Sequence, residues 1–165
     1  MIVGFVGSGS MAAAIARGWA GEFEQMLFSD SGSGRATALA DELGGQVASN
    51  GEIAERADFL VLAVKPAALD GVAPALGAAR RVVSVVAAVG VERLQAAFPA
   101  AEVLRVMPNV GVEVGRGVLC VAGEASAEVR EKLDGLGRVV EIADAEFDAA
   151  TAVMGCAPAY FALAV

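Results

Sequence analysis

A glycine-rich turn near the beginning of the chain has the spacing of a phosphate-binding backbone. Gly7-Ser8-Gly9-Ser10-Met11-Ala12 follows an apolar run over residues 1–6 and opens a segment of helical pattern over residues 10–20. In a G-x-G-x-x-A turn, the first glycine allows a tight bend, the second lets a diphosphate approach the backbone, and the alanine keeps helix and strand close. Free amides and the helix dipole would then attract the phosphates. The turn therefore predicts dinucleotide binding at Gly7, Ser8, Gly9, Ser10 and Met11, the alternative being a purely structural glycine turn.

Polar residues about 20 positions beyond this turn bear on which nicotinamide nucleotide binds. Asp30 stands where an acidic side chain would accept the ribose hydroxyls of NAD. However, Ser29, Ser31, Ser33 and Arg35 surround it, and these residues could hold the 2′-phosphate of NADP. The choice between NADP and NAD stays open at this point, and Asp30 could equally be an ordinary turn residue.

Residues that follow later strands would lie at the same edge of a parallel sheet, where ligands bind in such folds. Lys65-Pro66 ends a predicted fourth strand, and we expect the lysine to contact the ligand rather than to be a solvated loop residue. Ala87 and Ala88 follow the fifth strand, and Asn109 follows the sixth. Their small or amide side chains suit a surface against which a flat nicotinamide ring can lie.

Short apolar runs alternate with helical segments along the chain. The predicted strands cover residues 1–6, 26–29, 46–48, 59–64, 82–86, 103–107, 117–121 and 138–142. The predicted helices cover residues 10–20, 35–43, 50–57, the stretch from Pro66 to about 76, 91–98, 126–136 and 146–154. This alternation predicts an α/β fold of Rossmann type, an open, mostly parallel sheet with helices on both faces. The two final strands could run antiparallel at one edge.

The end of the chain has a different pattern. We expect a dinucleotide-binding domain over residues 1–148 and the start of an all-α domain over residues 149–165. A predicted helix over residues 158–165 carries no charge, and a helix that is apolar all round belongs in a core or an interface. The interpretation we favour is that the natural protein continues, or that this segment packs against a partner. The alternative is a tail that folds onto its own sheet.

Composition excludes several kinds of chemistry. The 165 residues include no histidine, which removes Ser-His and Cys-His nucleophiles and most zinc sites, so no metal site is expected. A net charge of -8 argues against nucleic acid binding. No apolar run approaches the ~20 residues of a membrane span. Cys120 and Cys156 are expected to be free thiols, and no signal-peptide pattern precedes the first strand, so a cytoplasmic location is expected.

Five motifs in this order resemble the pyrroline-5-carboxylate reductase family. They are the glycine turn, Ala63-Val64-Lys65-Pro66, Val83-Ser84 with Ala87, Arg105-Val106-Met107-Pro108-Asn109, and Gly155-Cys156-Ala157-Pro158-Ala159-Tyr160. The resemblance covers the whole chain. It implies cofactor contacts at Ser8 to Met11, Asn50, Val64, Lys65 and Ala87. It also implies a C-terminal helical domain, absent from these residues, that forms a homodimer or higher oligomer and supplies most of the substrate pocket.

The reaction implied by this resemblance is reduction of 1-pyrroline-5-carboxylate to L-proline with NAD(P)H, the last step of proline biosynthesis. No side chain here is an obvious proton donor, so water or a group outside these residues would serve, and Asn109 is the candidate for orienting nicotinamide or substrate. We expect this chain alone to bind the cofactor weakly and to be inactive. Two alternatives are another reductase of imines or β-hydroxyacids and a non-catalytic binding module. The second alternative is favoured by departures from the family pattern at Val110, Gly111, Met154, Cys156 and Ala157.

Overall fold

Eight strands form a single sheet in the computed structural model, which describes residues 1–156 together with Tyr160 and Leu163. The order across the sheet is β3-β2-β1-β4-β5-β6-β7-β8. The first six strands are parallel, β7 runs antiparallel to β6, and β8 is parallel to β7. The strands are β1 (Ile2–Val6), β2 (Gln25–Ser29), β3 (Gln46–Val47), β4 (Phe59–Leu62), β5 (Arg81–Ser84), β6 (Glu102–Pro108), β7 (Gly117–Gly123) and β8 (Gly137–Glu141).

Helices connect these strands on both faces of the sheet. The α-helices are α1 (Ser10–Gly18), α2 (Arg35–Leu43), α3 (Asn50–Arg56), α4 (Leu69–Val72), α5 (Val91–Ala97), α6 (Ala127–Asp134) and α7 (Phe147–Ala150). Short 3-10 turns cover Pro66–Ala68, Ala73–Leu76, Val110–Val114 and Asp144–Glu146, and a π-helix covers Thr151–Cys156. No helix in the described part of the chain has the length and apolar character that crossing a bilayer would require.

The central strands are buried on both faces, as their unbroken apolar sequences predict. All four residues of β4 are buried, and alternate residues enter two separate hydrophobic cores, one on each face of the sheet. One core contains Phe5, Phe28 and Trp19, and the other contains Ile53 and Leu94. The predicted α/β Rossmann-type fold is confirmed, and so is the reversed direction of the last two strands.

Several predicted boundaries were wrong. The strand predicted over residues 59–64 ends at Leu62, and the helix predicted over residues 10–20 ends at Gly18. The predicted helix between Pro66 and residue 76 is divided into α4 and two 3-10 turns. Pro74 lacks an amide proton and therefore interrupts helical hydrogen bonding after α4. The helix predicted over residues 146–154 is a short α-helix followed by a π-helix. The helix predicted over residues 158–165 lies outside the described residues, apart from Tyr160 and Leu163.

Candidate functional site

The carboxyl ends of β1, β2 and β4 surround a cleft of about 390 Å³. Along the chain, β1 is followed by β2, which lies on one side of β1 in the sheet, whereas β4 lies on its other side. Open α/β sheets bind ligands in the crevice where the strand order reverses in this way. The cleft is lined by Val6, Gly7, Ser8, Gly9, Ser29, Asp30, Ser31, Ser33, Arg35, Asn50, Ala63, Val64, Lys65, Ala68 and Val72.

Gly7 is required by the fold itself. Its φ of 93° lies in the region that side chains other than glycine rarely adopt, and a Cβ there would lie 2.5 Å from the carbonyl oxygen of Ala63. The Gly7 amide donates to the Ser29 carbonyl at 3.1 Å, and the buried Ser8 hydroxyl donates to the same oxygen at 2.9 Å. The turn is therefore fixed against both neighbouring strands.

Gly9 has no such structural requirement. Its φ of -77° and ψ of -177° suit any residue, and a Cβ there would meet nothing within 4 Å. Gly9 is the N-cap of α1, whose first turn has neither a side-chain cap nor an acidic residue, so the positive end of the helix dipole faces the cleft without compensation. Glycine is an accepted N-cap residue, and at this position it also leaves room for a ligand to approach the backbone closely. An anion is the ligand that this end of the helix attracts.

Alanine substitutions separate these two glycines experimentally. Gly9→Ala is expected to lower the unfolding free energy by no more than about 1 kcal/mol, because alanine is a poorer N-cap than glycine. It is expected to weaken NADPH binding at least about tenfold, because its methyl group would lie where a phosphate approaches the backbone. Gly7→Ala is expected to lower the unfolding free energy by roughly 1–3 kcal/mol through backbone strain. Urea denaturation and isothermal titration calorimetry measure the two effects. Unchanged NADPH affinity in Gly9→Ala would contradict this assignment.

The Asp30 carboxylate is engaged by its own loop. It accepts hydrogen bonds from the Gly32 amide at 2.7 Å, the Ser33 hydroxyl at 2.7 Å and the Ala36 amide at 3.0 Å. These bonds, the one from the Ala36 amide above all, lower the pKa of Asp30 from 3.8 to about 2. Asp30 therefore shapes the loop before α2 and satisfies an amide of the first turn of that helix.

This ionised carboxylate gives the stability of the protein a defined pH dependence. Because its pKa is lower in the folded state, its stabilising effect is complete above about pH 4 and is lost as the pH falls through 2. Asp30→Asn is expected to lower the unfolding free energy at pH 7 by roughly 1 kcal/mol, the usual contribution of a helix cap. Urea denaturation followed by circular dichroism should show this difference shrinking between pH 4 and pH 2. Asp41→Asn, an exposed acid on α2, is the control, and a difference that persists at pH 2 would refute the prediction.

Asn50 is oriented by a neighbouring strand. The Ser29 hydroxyl donates to Asn50 Oδ1 at 2.7 Å, and Ser49 caps the helix that Asn50 begins by accepting from the Glu52 amide. With its oxygen occupied, the side-chain amide of Asn50 offers its NH₂ group as a donor at the cleft.

The charge of the cleft differs from that of the whole protein. Arg35 and Lys65 are exposed at the cleft, and neither forms an ion pair with another described residue. Asp30 is the one acidic residue among those that line it. An anionic ligand would therefore meet a local excess of positive charge in a protein whose net charge is -8.

Most of the predicted site residues line the cleft, and the others do not. Inside are Gly7, Ser8, Gly9, Asp30, Ser31, Arg35, Asn50, Val64 and Lys65, whereas Ser10, Met11, Pro66, Ala87 and Asn109 do not line it. Ser10 and Met11 form the first turn of α1, and Pro66 begins a 3-10 turn. Ala87 lies in an exposed turn after β5. The predicted ligand contacts of all these residues stay predictions.

Asn109 has structural partners for both ends of its side-chain amide. Its Oδ1 accepts from the Val118 amide at 3.2 Å, and its Nδ2 donates to the Met154 carbonyl at 3.5 Å. The side chain thus connects the end of β6 to β7 and to the π-helix. Its orienting role toward a nicotinamide or substrate is not tested by these contacts.

Sequence reasoning missed four apolar residues of the lining. Val6 ends β1, Ala63 follows β4, and Ala68 and Val72 belong to the segment after Pro66. Ala68 and Val72 are four residues apart, and such a pair lies on one face of a helix. This spacing, which follows directly after the predicted ligand contact at Lys65, is the signal that could have found Ala68 and Val72.

Known proteins resemble this chain over most of its length. A pyrroline-5-carboxylate reductase of Synechocystis sp. is 38% identical over 125 residues, which are 70% of this chain and 47% of that relative. A pyrroline-5-carboxylate reductase of Mycobacterium leprae is 34% identical over 182 aligned residues, covering 99% of this chain and 62% of that relative. The chain therefore spans about half to three fifths of the length of these relatives.

Solved structures show the same arrangement. The 1-pyrroline-5-carboxylate reductase of Streptococcus pyogenes has a TM-score of 0.89 at 28% identity, covering 99% of this chain and 66% of that chain. The pyrroline carboxylate reductase of Plasmodium falciparum, a structure with NADP bound, has a TM-score of 0.77 at 26% identity, covering 99% of this chain and 65% of that chain.

The sheet order, the glycine turn and the cleft at the switch point define a Rossmann-type NAD(P)-binding domain. The family described as "NADP oxidoreductase coenzyme F420-dependent" matches residues 2–88, more than half of the chain. Within that class, the chain belongs to the pyrroline-5-carboxylate reductase family.

Proposed function

We propose that this chain is the cofactor-binding part of an enzyme that reduces 1-pyrroline-5-carboxylate to L-proline with NADPH. The observation that carries the proposal is the uncapped N-terminus of α1 at Gly9, where neither backbone conformation nor packing requires glycine. Membership of the family supplies the substrate class.

The loop before α2 favours NADPH over NADH. A residue that selects NAD would use a free carboxylate to accept the ribose hydroxyls, but the Asp30 carboxylate already accepts three hydrogen bonds from its own loop. The Ser31 hydroxyl and the Arg35 guanidinium remain exposed beside it at the cleft. An arginine and a hydroxyl are suitable partners for a 2′-phosphate, because phosphate accepts charge-assisted hydrogen bonds.

In this mechanism the protein binds and orients the cofactor and keeps water out of the site, and NADPH, when bound, supplies the hydride. The amides at the start of α1 would hold the diphosphate, and Lys65 would add positive charge beside it. The turn at Ala87 and Ala88 would present the surface for the nicotinamide ring. The proton for the imine nitrogen comes from water or from a group outside these residues, because Asp30, the one carboxylate that lines the cleft, is held by its loop.

We further propose that residues 149–165 begin a helical domain through which the whole protein forms a homodimer or higher oligomer. Val153, Tyr160 and Leu163 expose 71%, 70% and 86% of their surface, and a concentration of exposed apolar side chains in one short segment favours an interaction surface. A cytosolic location is part of the proposal. It is supported by the low cysteine content, because two cysteines are too few for the disulfide frameworks of secreted domains.

Arg35 provides the test of cofactor choice. Arg35→Ala is expected to weaken NADPH binding about tenfold or more, because a charge-assisted hydrogen bond to the 2′-phosphate is lost, and to leave NADH binding unchanged. Isothermal titration calorimetry on the 165-residue chain measures both. Arg138→Ala, which removes an exposed arginine from β8, is the control. Equal losses for NADPH and NADH would argue against a 2′-phosphate site.

Activity is tested on the full-length protein and on this chain in parallel. The full-length protein is expected to oxidise NADPH when given 1-pyrroline-5-carboxylate, while the 165-residue chain binds NADPH weakly and turns over no substrate. Loss of nicotinamide absorbance measures turnover by both proteins, with other cyclic imines as alternative substrates. Oxidation of β-hydroxyacids is measured separately, as a gain of the same absorbance with NADP⁺. Faster turnover of a β-hydroxyacid, or full activity of the 165-residue chain, would contradict the proposal.

A further inference from the structure

The turn after β5 has a strained backbone. Ala88 has a φ of 56°, and no other described residue except glycines has a positive φ. An alanine in this conformation costs free energy, so the surrounding structure must hold it there, and such strain is often found at ligand sites. Val86 and Val89, on either side of the turn, are buried, whereas Ala87 and Ala88 are exposed at the carboxyl end of the strand.

Asp144, from the segment after β8, anchors the far end of this turn. Its Oδ2 accepts from the amide of Val91, the first residue of α5, at 3.1 Å. Gly90 leaves room for the carboxylate, since a Cβ at residue 90 would lie 2.7 Å from the same oxygen. The φ of Gly90 is -75°, so its backbone conformation does not require glycine. The glycine is explained by the approach of Asp144.

A buried arginine fixes Asp144 in turn. Arg105 on β6 pairs with Asp144 Oδ1 at 2.8 Å, and its guanidinium lies 4.0 Å from the ring centre of Phe147. The Arg105 side chain is only 6% exposed, and its Nε has no hydrogen-bond partner among the residues that the structure describes. A buried cation with so few partners depends on its carboxylate, which restricts Asp144 to one position. Arg105 is also the register partner of Ser84, the last residue of β5.

We propose that Asp144, held by Arg105, is a positioning residue that keeps residues 87–90 in the strained conformation used by the nicotinamide half of the cofactor. This inference rests on the cofactor site proposed above. Asp144 and Arg105 do not line the cleft that would receive the adenosine half. Loss of the Asp144 contact should therefore weaken binding of the nicotinamide half and leave binding of the adenosine half unchanged. A general loss of stability would weaken binding of both halves.

Two ligands distinguish effects on the nicotinamide half of the cofactor from effects on the adenosine half. Isothermal titration calorimetry of the 165-residue chain would use NADPH and adenosine 2′,5′-bisphosphate, which lacks the nicotinamide. Asp144→Ala is expected to raise the Kd of NADPH about three- to tenfold, the effect of losing one ordinary hydrogen bond, without changing that of the bisphosphate. Gly90→Ala should act the same way, because its methyl group displaces the Asp144 carboxylate from the Val91 amide but leaves the Arg105 pair able to form.

Asp148→Asn is the control, since Asp148 is an exposed acid of the same segment, one turn from Asp144. Equal weakening of both ligands by Asp144→Ala and Gly90→Ala would show a merely structural role and overturn the proposal, as would an unchanged Kd for NADPH. Failure of the wild-type chain to bind the bisphosphate would instead refute the proposed cofactor site, and with it this inference.

Ala88→Gly supplies a rescue that a structural role would not produce. Glycine adopts the left-handed conformation without strain, so the turn no longer needs the anchor. Adding Ala88→Gly to Asp144→Ala is expected to restore at least half of the lost NADPH affinity on a logarithmic scale. Strictly additive effects of the two substitutions would contradict the link between Asp144 and the turn.

Discussion

The close approach of the turn after β1 to the end of β4 is the constraint on which the cleft depends. Gly7 can bend there only because no side chain separates it from the Ala63 carbonyl. The same bend aims the start of α1 at the gap between the two strands, and hydrogen bonds from Gly7 and Ser8 tie it to β2. Three strands and one helix N-terminus are thereby held around a space that the protein itself does not fill.

Local electrostatics in this space arise mainly from the backbone. The first turn of α1 carries no acid, Asp30 is committed to amides and a hydroxyl, and two unpaired cations stand at the rim. Because such fields decay over about 10 Å or less at physiological salt, the acidic surface elsewhere does not cancel them. This explains how a protein with a net charge of -8 can present a site for an anion.

Local patterns predicted most of the fold, and contacts between distant residues account for what they missed. The alternation of apolar runs with helical segments predicted the sheet, and the glycine turn predicted the position of the cleft. The sequence left two roles open for Asp30, a ribose contact and a turn residue, because the choice depends on the loop conformation that Gly32 and Gly34 allow at φ of 90° and 77°. The partners of the Asn109 amide, at residues 118 and 154, could not be predicted because they come from other elements. Arg105 and Asp144 are 39 residues apart, and no local pattern connects them.

The only tryptophan of the chain has a consequence for spectroscopy. Trp19 is buried among Phe5, Phe23 and Phe59, and its indole N–H donates to the Lys132 carbonyl at 2.7 Å. A rigid, dry environment of this kind gives a blue-shifted emission from a single population of fluorophores. Reduced nicotinamide absorbs where tryptophan emits, so Trp19 is a built-in energy-transfer donor that reports on a nucleotide bound at the other end of α1 without any added label.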